Sequence, residues 1–96
     1  MLEEKKYEAS VREILHDHIS LIPHSHLLDV QFETRPASTK IIALVRGPIS
    51  PTKEQITHLE ASLPLFKNTR QNKLLIRFSS IEILDKNGTV SNEAGP

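Results

Sequence analysis

The residues from Leu27 to Arg46 constrain the fold more than any other stretch of the chain. Leu28, Val30 and Phe32 alternate with Asp29, Gln31 and Glu33, the period of two that marks a strand with one buried and one wet face. Arg35-Pro36-Ala37-Ser38 breaks the alternation, and a proline here suits a turn or a sheet edge but not a central strand. Ile41-Ile42-Ala43-Leu44-Val45 then runs almost without a polar residue. A continuous apolar strand is one covered on both faces or placed at the centre of its sheet. The stretch therefore predicts two adjacent strands joined by a tight connection.

On either side the period changes from two to between three and four. Tyr7, Val11, Ile14, Leu15 and Ile19 lay one apolar stripe along a helix from Glu3 to about Ile19, and Pro23 forces its end before that point. Ile56, Leu59 and Leu63 make a second stripe. Gly47-Pro48-Ile49-Ser50-Pro51 punctuates the approach to it, with Ser50 expected as N-cap and Pro51 as the first helical residue. Pro64 stops this helix. A polar connection from Leu65 to Asn72 follows, with Leu65 and Phe66 expected in the core. Leu74, Ile76 and Phe78 alternate, then Ile81 and Ile83 alternate in the opposite phase. A bend at Ser79-Ser80 would produce that switch, as a bulge does. Asp85-Lys86-Asn87-Gly88 reads as a turn, and the polar remainder as a frayed tail.

The expected order is helix, strand, strand, helix, strand. Its crossover through the second helix returns the last strand parallel to the second. This is an α+β, ferredoxin-like arrangement: a small mixed sheet with two helices on one face and its usual first strand missing or supplied elsewhere. Residues 1–88 form one domain and 89–96 a flexible tail. A chain of 96 residues can bury one modest core, roughly 60 to 65% of its unfolded surface.

Composition narrows the function by exclusion. Twelve Lys+Arg balance twelve Asp+Glu, whereas nucleic-acid binders concentrate positive charge. The four aromatics, Tyr7, Phe32, Phe66 and Phe78, read as core rather than as a base-stacking platform. With no cysteine there is no disulfide, thiolate nucleophile or zinc–thiolate site. No apolar run approaches the ~18 residues of a membrane span, and the opening Met-Leu-Glu-Glu-Lys-Lys lacks the order of a signal peptide. The expected location is cytoplasmic.

Five histidines are the only conspicuous chemical groups: His16, His18, His24, His26 and His58. His16 and His18 diverge on a helix, while His24 and His26 share a side of an extended segment. His24 and His26 with Asp17 or His58 could hold a divalent metal, but no metal-site motif is present and exposed polar residues flanking a turn are the better account of them. Ser25 has no positioned base, and no nucleophile elbow or phosphate-cradling glycine loop exists. An anion could sit at the start of the second helix near Arg46 and Lys53, unless Ser50 already caps those donors. No catalytic, cofactor or metal residue is therefore assigned, and no enzyme activity is expected.

Leu28-Asp29-Val30-Gln31-Phe32, Ala43-Leu44-Val45-Arg46-Gly47-Pro48, Ser50-Pro51-Thr52-Lys53-Glu54-Gln55-Ile56 and Asp85-Lys86-Asn87-Gly88 together resemble a family. It is the soluble carboxy-terminal domain of an uncharacterised hydrophobic membrane protein family, domain of unknown function 389. The resemblance implies a soluble regulatory module attached to a membrane-embedded domain, without catalytic residues. The helix and strand order is also similar to that of the cytoplasmic domain of cation diffusion facilitators, which implies dimerisation and metal sensing. The leading expectation is a non-catalytic, self-associating cytoplasmic module, a homo-oligomer through its sheet edge or open sheet face. The alternative is a metal-sensing regulatory domain.

Overall fold

The structure, a computed structural model, describes residues 2–66, 71–81 and 83–90. In chain order these form α1 (Leu2–Ser20), β1 (His26–Thr34), β2 (Ser38–Gly47), α2 (Lys53–Ser62), β3 (Gln71–Ser80), β4 (Ile83–Asp85) and β5 (Gly88–Val90). The main sheet has the order β1-β2-β3, with β1 antiparallel and β3 parallel to β2. This is the α+β, ferredoxin-like arrangement that the two periodicities predict. The apolar run Ile41–Val45 lies on the central strand.

The alternation along β2 decides where the core sits. Thr39, Ile41, Ala43 and Val45 are fully buried and point to the helices, whereas Lys40, Ile42 and Leu44 between them are only partly covered. The α1 stripe, Tyr7, Val11, Leu15 and Ile19, and the α2 residues Leu59 and Leu63 pack on that inward face. Both helices therefore cover one side of the sheet, and among the described residues the other side is bare. On the covered side Tyr7 joins Phe32 edge-on at 5.9 Å and Phe66 at 5.1 Å between ring centroids, which holds three aromatics away from the bare face. Arg12 lies 5.1 Å over the Phe32 ring, a cation on the negative face of a π-system.

Five local expectations are corrected. Leu28 does not join Val30 and Phe32: β1 slips by one residue between Leu27 and Asp29, so Leu27 turns inward and Leu28 is 57% exposed. The N-cap of α2 is Thr52, not Ser50. Thr52 is extended (φ −79, ψ 162), its hydroxyl accepts the Gln55 amide at 3.1 Å, and Gln55 Oε1 accepts the Thr52 amide at 2.8 Å. This reciprocal pair satisfies two orphan donors at once, which a cap at Ser50 could not do; Pro51 is buried one residue before the cap. Leu65 is 56% exposed rather than core, while Phe66 packs against the core as expected. Finally, no bend falls at Ser79-Ser80: β3 stays in register with β2 through Ser80, the Ile81 amide still bonds the Gly47 carbonyl at 2.9 Å, and Asp85–Gly88 closes a β4–β5 hairpin. Thr89 and Val90 are thus paired strand residues rather than tail, and the rest of the expected tail, 91–96, lies outside the described residues.

Candidate functional site

Among the described residues the second sheet face carries no covering element. Cross-strand register arranges it in rows. Glu33, Lys40 and Lys73 form one row, Gln31, Ile42 and Leu75 the next, Asp29, Leu44 and Arg77 the third, and His26, Arg46 and Ser79 the last. The middle is apolar: Ile42, Leu44 and Leu75 are partly buried by their neighbours alone. The flanks are charged by strand, with acids on β1 and bases on β3. Glu33 holds Lys40 at 4.0 Å and Arg35 at 3.5 Å, pairs too exposed to contribute much stability. Beside the β1 slip, Leu28, Leu44, Arg77 and Ser79 surround a shallow depression of about 200 Å³.

The sheet edges are less open than the face. On β1 the slip disrupts the ladder, and Asp29 Oδ1 accepts the Val30 amide at 2.8 Å. On β3 the Glu60 carboxylate of α2 accepts the Leu74 amide at 2.8 Å. Asn72 Nδ2 donates to the Pro64 carbonyl at 2.8 Å while its Oδ1 accepts the Tyr7 hydroxyl at 2.8 Å. An edge amide already bonded cannot template a strand from another chain.

The histidines do not assemble as their spacing suggests. His24 takes the left-handed conformation (φ 61) in the turn before β1, and His26 stands in the last row of the bare face. His16 pairs with Asp17 at 3.5 Å on the exposed side of α1. The pair brought together is instead His18 and His58, with ring centroids 6.2 Å apart across α1 and α2. They border a groove of about 380 Å³ with Leu21, Ile22, Glu54, Gln55 and Leu59. Sequence spacing holds no trace of this meeting, since it depends on how the helices dock. Among the described residues no three metal-ligating side chains come together. The Thr52–Gln55 cap takes up two of the donors at the start of α2, the Thr52 and Gln55 amides, so fewer face the expected anion position near Arg46 and Lys53.

Two polar groups in the core stand out. The Tyr7 phenol is pushed above its ordinary value by burial, opposed by the nearby Thr39 hydroxyl and reinforced by Glu8. Thr39 Oγ1 is itself fully buried with no hydrogen-bond partner of acceptable geometry. The phenol beside it donates its own hydrogen to Asn72 Oδ1 at 2.8 Å.

Among the described residues no helix is long and apolar enough to cross a membrane. Comparison of the chain with protein-family models, curated proteins and solved structures gives no match.

Proposed function

We propose that this chain is a non-catalytic module that associates with itself, the soluble regulatory part of a membrane protein of the kind its sequence motifs resemble. The observation that supports this reading is the one-sided sheet. Both helices bury against the odd-numbered residues of β2, and Ile42, Leu44 and Leu75 on the reverse are only partly buried. Apolar area left in water is lost hydrophobic stabilisation, at ~25 cal/mol per Å². A second layer recovers it. Sedimentation velocity of the purified chain across a concentration series tests the proposal: a rising mean mass is expected, and a constant monomer mass refutes it.

A second reading, a metal-responsive regulatory domain, draws on the His18–His58 approach and on Glu54 in the same groove. Two imidazoles from different helices would tie α1 to α2 on binding zinc. Titration calorimetry with zinc on the native chain and on a His18→Ala, His58→Ala variant decides it. Heat present in the first and lost in the second supports the reading; equal heats reject it.

A further inference from the structure

We infer that the second copy docks face to face on the bare sheet, with the two-fold axis running parallel to β2. The inference rests on the self-association proposed above and specifies its surface and orientation.

The choice of face over edge follows from the hydrogen bonds. The β1 border is interrupted by the slip at Leu28 and by the Asp29 carboxylate on the Val30 amide, and the β3 border by Glu60 on Leu74. Edge pairing would have to displace these charge-assisted bonds, which are stronger than the neutral ones replacing them.

The charges choose the axis. A two-fold axis between stacked sheets lies in the plane between them, and aligned packing of the strands sets it along the strands or across them. An axis across the strands sets β1 on β1, placing Asp29 against Glu33 of the other copy and Lys73 against Arg77. An axis along β2 exchanges the flanks and keeps each row at its own level. Asp29 then faces Arg77 of the second copy, Glu33 faces its Lys73, and Ile42 and Leu44 face their own equivalents. Sheets stack about 10 Å apart, a gap that a carboxylate and a long basic side chain can bridge. Like charges in register cost energy and opposite ones steer and align, so the second orientation is favoured.

The dimer is a weak one. Nine residues at ~3.3 Å each and three strands at ~4.8 Å give a face of roughly 30 by 15 Å, or about 450 Å² a copy. That falls short of the ~800 Å² a partner of a standard stable interface. Lys40 and Arg46, on the central strand, also meet their own equivalents and oppose association.

Charge reversal on separate copies tests the orientation. One variant carries Asp29→Lys and Glu33→Lys, the other Lys73→Glu and Arg77→Glu. Sedimentation is run from about 10 µM to about 1 mM, the span expected of micromolar to millimolar dissociation constants. The native chain should dimerise, each variant alone should remain monomeric over at least a tenfold higher concentration, and an equimolar mixture should recover the dimer. The mixture is also the folding control, since misfolded partners could not restore it. A native dimer that both variants keep would overturn the proposed face while leaving self-association standing. A native chain that stays monomeric throughout would overturn self-association itself.

Discussion

Thr39→Val should stabilise the protein, although it removes a polar group from the second residue of the central strand. Thr39 is fully buried on the helix-facing side of β2, and its hydroxyl has no partner. A buried hydroxyl without a hydrogen bond costs roughly 1–3 kcal/mol on the scale of protein mutations. Valine replaces it with a methyl of similar shape, keeps the β-branched preference for a strand, and converts the cost into apolar burial. A gain of about 1–2 kcal/mol is expected. For a domain of this size each kcal/mol moves the melting midpoint by about 4–8 °C. Urea unfolding followed by far-ultraviolet circular dichroism should show a higher midpoint with an unchanged slope, since the exposed surface does not change. A lower midpoint would mean that the hydroxyl is bonded to Tyr7 after all. A double-mutant cycle with Tyr7→Phe separates the cases: independent effects support the unpartnered hydroxyl, and a coupling above about 0.5 kcal/mol refutes it.

Two further outcomes follow from the core and the strand ends. Burial raises the Tyr7 phenol above 10.0 in the folded state, so the folded chain holds this proton where the unfolded chain has lost it. Its contribution is complete below pH 10.0 and falls as pH rises through the folded value; alkaline melts should show this decline in the native chain and a smaller one in Tyr7→Phe. Gly47→Ala should cost about 1–3 kcal/mol by overpacking, because an added Cβ would lie 2.7 Å from Ser25 Oγ and 3.3 Å from its Cα; chemical denaturation of Gly47→Ala and of the relieving Gly47→Ala, Ser25→Gly pair checks it, with recovery expected in the pair.

Periodicity carried the architecture because each stripe has one face to bury. Tyr7 to Ile19 and Ile56 to Leu63 carry the stripes of helices packed on one side, and Ile41 to Val45 read as a strand either covered on both faces or central, of which the sheet order shows the second. Alternation does not report a register slip: strict period two puts Leu28 in phase with Val30 and Phe32, and only the shift between Leu27 and Asp29 turns Leu27 inward in its place. At the start of α2 two capping residues compete, and the deciding partner, Gln55, lies three residues beyond Thr52. The pattern was readable there, but proline at the first helical position competed with it. The bare face was legible as a consequence of one-sided helices. Its division into an acidic and a basic flank was not, because it requires the register of β3 against β2. Nor could spacing reveal Glu60 on the Leu74 amide, which joins different elements.

The central strand acquires its two neighbours at very different moments. β1 precedes β2 by a connection of Arg35, Pro36 and Ala37, whereas β3 is complete only at Ser80, 33 residues beyond Gly47. At about 5–20 residues per second of synthesis, that separation is roughly 2–7 s. For those seconds the most apolar strand of the chain is half-zipped on the ribosome, with one flank of peptide groups open to any neighbouring nascent chain. The parallel pairing that completes the native sheet is thus also the step at which a crowded translation site would lose the protein to aggregation.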